Sequence, residues 1–184
     1  MDQIDTQGYR ANVGIIVADG IGHVLMGGRT DQGGWQFPQG GIQRGETAEE
    51  AMYRELNEEI GLGSEDVKIL GFTRDWLKYR LPKRFVRSYQ TPVCIGQKQR
   101  WYLLRLISSQ KNVRFDMTED PEFDQGRWVD YWRPVKEVVY FKRQVYMHAL
   151  NELGPFAFPE NGPPPLPSWL AKAMAKGAPR RALS

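Results

Sequence analysis

The sequence predicts an α+β fold in which helices pack on a mixed β-sheet. Three observations predict it. Short apolar runs bounded by Gly, Pro and Asp recur along the chain, residues 48–60 form one sharply capped helix, and residues 135–153 carry apolar side chains at helical spacing. At 184 residues, 41% of them hydrophobic, the chain can bury one sizeable core, so one domain over residues 8–153 is expected, with a short segment on either side.

Residues 1–7 are polar and acidic, unlike a signal peptide, and are expected to be flexible. Residues 9–18 read as a strand, Asp19-Gly20 as a turn and residues 22–26 as the partner strand of a hairpin. Gly33-Gly34 breaks the chain, residues 35–37 alternate like a short strand, and Pro38-Gln39-Gly40-Gly41 forms an irregular loop whose backbone can approach a ligand closely. After the helix, residues 67–72 and 76–81 read as strands, Pro82-Lys83-Arg84 as a turn, and residues 93–95 and 101–107 as continuations of the sheet. An acidic loop over residues 116–124 precedes a strand at 126–129. In the helix expected over 135–153, Val138, Phe141, Val145, Met147 and Leu150 supply the apolar positions. From Gly154 the composition shifts: six prolines crowd residues 155–167 and the end is small and basic, which predicts a disordered tail over residues 154–184. Within it, residues 168–176 can form a helical turn on contact with an anionic partner.

The helix over 48–60 is where chemistry concentrates. Thr47 is the N-cap, Glu50 completes a capping box, and Gly61 supplies the left-handed residue that ends the helix. At 100° per residue, Ala48, Met52, Leu56 and Ile60 form one core-facing stripe, with Glu55, Glu58 and Glu59 along its flank. Like charges at these spacings repel by about 0.2–0.5 kcal/mol per exposed pair, and partial burial raises that cost. A cation is therefore expected there. Carboxylate oxygens on a rigid helix suit Mg²⁺, and also Mn²⁺, far better than Zn²⁺, which favours His and Cys. An anonymous acidic helix, by contrast, more often presents a solvated face.

The surrounding residues decide between these readings. Gly40, Glu46, Arg54, Glu55, Leu56, Glu58, Glu59, Gly61 and Leu62 occupy every fixed position of a 23-residue pattern, and residues 40–62 thereby resemble the signature of the Nudix hydrolases. The resemblance implies a Nudix-type α/β/α sandwich with a loop–helix–loop metal site, and cleavage of a diphosphate linked to another group. It implies Glu55, Glu58 and Glu59 as catalytic metal ligands joined by the Gly40 carbonyl, with Glu46, Arg54 and Gly61 holding the loop and helix in place. One of Glu58 and Glu59 can instead accept a proton from the attacking water, since a carboxylate close to its neighbours has a raised pKa.

Further stretches resemble one branch of that family, the bacterial RNA pyrophosphohydrolases that also cleave dinucleoside polyphosphates. They are Gly8-Tyr9-Arg10, residues 35–41, Leu81-Pro82-Lys83-Arg84, residues 92–99, Pro121-Glu122-Phe123-Asp124 and Phe141-Lys142-Arg143. This narrower likeness implies Glu122 as a further metal ligand, Arg10, Arg29, Gln97, Lys83, Arg84 and Lys142 as substrate-binding groups, and Phe141 as a ring that stacks on a base. On sequence alone these are also ordinary surface charges, one acid of an acidic loop and a core ring. Gly28-Arg29 departs from the branch, where two arginines are adjacent, and Gly34 stands where a polar residue often precedes the Trp.

Charge is distributed unevenly. Residues 74–105 hold nine basic side chains against Asp75, 9 − 1 = +8, so with a net +3 the remainder sums to 3 − 8 = −5. Trp76, Tyr79, Phe85, Tyr89, Trp101 and Tyr102 are interleaved with those bases, a pattern that holds single-stranded nucleic acid by phosphate charge and base stacking. At least half of these rings are expected in the core. The expected substrate is 5′-phosphorylated RNA, with its 5′ tri- or diphosphate cut to a monophosphate to promote mRNA decay. The alternatives are a dinucleoside polyphosphate substrate and a catalytically inactive RNA-binding module, the second of which a missing glutamate would signal. A single cysteine, Cys94, and no apolar run approaching the ~20 residues that span a bilayer lead to the expectation of a cytoplasmic protein without membrane partners.

Overall fold

A computed structural model describes residues 4–30 and 33–177. Eight strands form one mixed sheet: β1 (Tyr9–Ala18), β2 (His23–Arg29), β3 (Trp35–Gln36), β4 (Gln39–Gly41), β5 (Val67–Phe72), β6 (Leu77–Arg80), β7 (Gly96–Leu106) and β8 (Phe123–Asp130). The central pair is β1 and β7, parallel in register from Tyr9 opposite Gly96 to Ala18 opposite Arg105. All other pairings are antiparallel, with β2 joining β1 to β3 and β8, and β7 carrying β5 and β6 on its far side.

Strand alternation makes two cores from one sheet. Ala11, Val13, Ile15 and Val17 face α1 (Ala48–Ile60) and bury Met52, Leu56 and Ile60. On the opposite face, Ile16, Ala18, Trp101 and Leu103 meet α2 (Arg133–Glu137) and α3 (Arg143–Ala157) through Val135, Val145, Tyr146 and Leu150. This is the expected sandwich. Both ends of α1 form as the sequence predicts: Thr47 Oγ1 accepts from the Glu50 amide, Glu50 returns to the Thr47 amide at 2.8 Å, and Gly61 ends the helix at φ 71°.

Several expectations change. Residues 39–41 form a strand paired with β1 instead of an irregular loop, because their amides and carbonyls complete the edge of β1 beyond its pairing with β2. Residues 93–95 lie outside the sheet, and β7 runs unbroken from Gly96 to Leu106. The single helix expected over 135–153 is two. Val138 and Val139 are extended, a 3-10 turn covers Tyr140–Lys142, and α3 starts at Arg143. The β-branched pair disfavours helix at that point, and the break turns Lys142 into the interior.

The terminal segments are also more ordered than expected. Asp5 accepts from the Gln7 and Tyr9 amides at 2.9 Å and pairs with Lys98, so residues 4–7 form a fixed turn. Residues 1–3 lie outside the described residues. The disordered tail expected from Gly154 is corrected over its first part: α3 continues through Gly154 to Ala157, the Trp132 indole donates to the Pro164 carbonyl at 2.7 Å, and Leu170, on α4 (Ser168–Gly177), is buried in the core. Prolines set direction here without preventing packing, because Leu153, Ala157 and Leu170 give the segment apolar surface to bury. Residues 178–184 lie outside the described residues.

Candidate active site

Helix α1 carries the acids. Its apolar stripe is pressed against β1, so Glu55 and Glu59, one turn apart on the flank of that stripe, are pulled below the surface at 9% and 7% exposure, while Glu58 keeps nearly half its side chain in water. Strand β4 closes over them. A Cβ on Gly40 would come within 1.8 Å of the Glu55 carboxyl carbon, so any side chain here would push the acid from its place. The Gln39 amide donates to Glu59 at 2.9 Å. Glu122 arrives from the start of β8 and faces Glu59.

Arg54 organises the outer side. Its guanidinium donates to both carboxylate oxygens of Glu46 at 2.8 and 2.9 Å, to Glu55 at 2.6 Å, to Glu58 at 3.2 Å and to the Gly41 carbonyl at 2.8 Å. The loop, the helix and β4 are thereby fixed through one side chain. Arg54 beside Glu46 holds that carboxyl below the usual carboxylate range. The inner acids behave oppositely. Burial pushes the Glu59 carboxyl well above its ordinary value and the facing charge of Glu122 adds to it, while burial raises Glu55 against the pull of Arg54.

Among the described residues, no three His, Cys, Asp or Glu side chains stand close enough together, as placed, to hold an ion. The donor set nevertheless fits a hard divalent cation: Glu55, Glu58, Glu59 and Glu122 offer only oxygens, two of them in a partly desolvated wall where added positive charge relieves mutual repulsion.

Facing these acids is a cavity of about 700 Å³. Its acidic end holds Glu55 and Glu122, and the rest of the wall includes Arg10, Arg29, Gln97, Phe141 and Lys142. Most substrate residues expected from the sequence thus meet in one space. Tyr79 donates to Gln97 at 2.6 Å and packs on Phe141 with ring centroids 5.8 Å apart. Phe141 lies half-buried on the 3-10 turn, stacked among Tyr79, Phe85 and Tyr140, so it is both part of the core margin and a wall of the cavity. Lys142 is 5% exposed, and burial pushes its ammonium down to about 8, with Arg29 adding to the shift.

Two expected residues stand apart. Lys83 and Arg84 do not line this cavity; Arg84 lies over the Phe85 ring at 4.8 Å and Lys83 faces a neighbouring cleft. The basic, aromatic window of residues 74–105 is likewise divided by strand alternation. Gln97 and Gln99 point to the face of Trp101, while Lys98 and Arg100 lie beside Trp76 on the α1 face, at 5.7 and 5.3 Å from its ring.

Gln36 was not singled out by the sequence. Only 3% exposed, it donates to Glu122 at 2.7 Å while its carbonyl accepts from Lys142 at 3.2 Å and from Arg29 at 3.5 Å. One amide therefore joins the acidic wall to the cationic one. Its only signal in the sequence was its place in the stretch of residues 35–41.

The fold and this acid-lined helix define a hydrolase domain of known type: the NUDIX domain model matches residues 8–149, and the chain belongs to that family. Nudix hydrolases use divalent metal ions. Within the family, the chain is 57% identical over 160 residues to the RNA pyrophosphohydrolase of Alkalilimnicola ehrlichii, covering 87% of this chain and 88% of that protein. It is 60% identical over 152 residues to the RNA pyrophosphohydrolase of a Pseudomonas fluorescens strain, covering 83% and 96%. Solved structures share the fold at lower identity. The E. coli dihydroneopterin triphosphate pyrophosphohydrolase has a TM-score of 0.60 at 20% identity, covering 75% of this chain and 92% of that one, and a C. elegans Ap4A hydrolase complex has 0.55 at 17%, with the same coverage.

Proposed function

We propose that this protein is an RNA pyrophosphohydrolase, hydrolysing a phosphoanhydride at the 5′ end of tri- or diphosphorylated RNA to leave a 5′-monophosphate. Water adds to the phosphoryl group, the anhydride bond breaks, and pyrophosphate or phosphate leaves. The observation that carries the reading is a single cavity joining an acidic wall, Glu55 and Glu122, to cationic and aromatic groups, Arg10, Arg29, Lys142 and Phe141. The 57–60% identity to RNA pyrophosphohydrolases over most of both chains supports it.

Glu55, Glu58, Glu59 and Glu122, with the Gly40 carbonyl, are the groups that would hold Mg²⁺ or Mn²⁺. When bound, such ions neutralise phosphate oxygens and lower the pKa of a water that becomes the nucleophile. Arg10, Arg29 and Lys142 bind the phosphate chain and neutralise charge that develops on the leaving group. Phe141 supports the first base by stacking, and Gln97 is fixed beside it by Tyr79. One of Glu58 and Glu59 takes the proton of the attacking water while the remaining acids would hold the ion; Glu59 is fixed on the protein side by the Gln39 amide at 2.9 Å. Arg54 and Glu46 position the acids without touching substrate. Among the described residues no helix is long and apolar enough to cross a membrane, and an RNA substrate implies a cytoplasmic reaction.

The inactive-module alternative is disfavoured because all four glutamates are present, two of them, Glu55 and Glu122, in the cavity wall. Dinucleoside polyphosphates carry the same anhydride and are the competing substrate. The deciding assay offers Mg²⁺, 5′-labelled triphosphorylated RNA and diadenosine pentaphosphate together. Higher kcat/KM on RNA, abolished in Glu55→Gln, supports the reading; turnover of the dinucleotide alone overturns it.

A further inference from the structure

Beside the catalytic cavity lies a second cleft of about 350 Å³, lined by Arg80, Leu81, Lys83, Val86, Ser88 and Ile95. A single layer of chain separates the two spaces. Along it the side chains alternate: Phe85 and Arg87 line the catalytic cavity, Val86 and Ser88 line the cleft, and Leu81 lines both. Backbone bonds hold the wall in this arrangement. Val86 donates to the Lys83 carbonyl at 3.2 Å, Leu81 to Ile95 at 2.9 Å, and Ile95 to Gly8 at 2.9 Å.

The cleft's chemistry is specific. Leu81, Val86 and Ile95 give an apolar floor, Ser88 a hydroxyl, and Arg80 and Lys83 two cations at the rim. Among the described residues neither cation has a carboxylate partner; the Arg80 guanidinium donates to the Tyr9 hydroxyl at 3.3 Å, which fixes its position without neutralising it. An aliphatic floor against which a base can pack, with cations at the rim for a phosphodiester, suits a single-stranded nucleotide.

We propose that this cleft is a downstream RNA subsite. It takes a nucleotide that lies beyond those in the catalytic cavity, with its base on Leu81, Val86 and Ile95 and its phosphodiester at Arg80 and Lys83. The inference deepens the RNA reading of the catalytic cavity and rests on it. Continuity at Leu81 gives the strand its route: RNA whose 5′ phosphates face Glu55 and Glu122 leaves past Phe85 and Arg87, crosses the wall and enters the cleft. A substrate ending at the second nucleotide leaves it empty.

The test compares a 5′-triphosphorylated dinucleotide with a 5′-triphosphorylated pentanucleotide, with diadenosine pentaphosphate as a third substrate. Val86→Trp fills the cleft from the side of the wall facing away from the catalytic cavity; the double variant Arg80→Ala/Lys83→Ala removes the rim charge and guards against misfolding of the first. For the wild type, kcat/KM on the pentanucleotide exceeds that on the dinucleotide by about tenfold, the scale of one base packed on aliphatic side chains with its phosphate bound. In both variants the pentanucleotide falls to the dinucleotide value, while the dinucleotide stays within about twofold. In the double variant the slope of log kcat/KM against log salt on the pentanucleotide flattens by about 0.7, the value for the one phosphate that is no longer neutralised. Equal wild-type rates on the two RNAs, or variants that slow both alike, overturn the subsite while leaving RNA hydrolysis intact. Turnover of diadenosine pentaphosphate alone overturns the RNA reading and the subsite with it.

Discussion

Replacing Gln36 by leucine keeps the volume of a buried side chain and removes the amide that joins Glu122 to Lys142. The Gln36–Glu122 bond is short, 2.7 Å, and charge-assisted, and the bond from Lys142 is 3.2 Å. A hydrogen bond to a charged group contributes about 1.5–3 kcal/mol, and the second, longer bond adds less. If about 2–4 kcal/mol of positioning is lost in the transition state, kcat/KM falls by roughly 30-fold to 900-fold at 1.36 kcal/mol per decade. The assay is kcat/KM on 5′-triphosphorylated RNA beside a urea unfolding curve, because loss of position lowers the rate far more than the midpoint. Gln36→Glu repels Glu122 and neutralises Lys142 by pairing with it, so kcat falls and KM for the phosphorylated RNA rises together. Gln36→Leu with kcat/KM within threefold of wild type refutes the bridging role.

Three further outcomes follow from the same geometry. Lys142, buried and pushed down to about 8, loses its charge as pH rises through that value, so kcat/KM on RNA declines above pH 8, and Lys142→Arg, which stays charged, removes that decline in a pH–rate profile. Glu46 has its folded pKa depressed by Arg54, so its contribution is present above the unfolded value of about 4.3 and is lost as pH falls through the lower folded value. Urea midpoints measured from pH 6 to pH 3 therefore converge for wild type and Glu46→Gln. Leu170→Ala costs about 2–3 kcal/mol, near the lower end for a buried leucine because a terminal segment relaxes readily; an unchanged unfolding midpoint would show that α4 does not dock.

Local chemistry was legible in the chain wherever neighbouring residues decide it. The caps of α1, the stripe of Met52, Leu56 and Ile60, and the acids beside it depend on spacing along one helix, and spacing is what a sequence prints. The strands Tyr9–Ala18 and Val67–Phe72 were equally plain, since their apolar runs end at turn residues. The grouping of Arg10, Arg29, Gln97, Phe141 and Lys142 was accessible only through resemblance. Nothing within reach of each residue marks it as a cavity wall.

Only the tertiary structure decided the rest, and for one reason: contacts between distant segments choose among conformations that the local sequence leaves nearly equal in energy. The break at Val138 and Val139 interrupts a helical pattern so that Lys142 can turn inward to Gln36, 106 positions away. The pleat of β7 divides a basic, aromatic window that looked like one platform, sending Gln97 to the cavity and Lys98 and Arg100 to the opposite face. A proline-rich tail docks because Leu170 finds an apolar surface that exists only once α2 and α3 are packed. The sequence by itself determined which acids a rigid helix would present; the fold decided that Glu122, Gln36 and Lys142 would complete the site, because sheet pairing and core burial bring them to it.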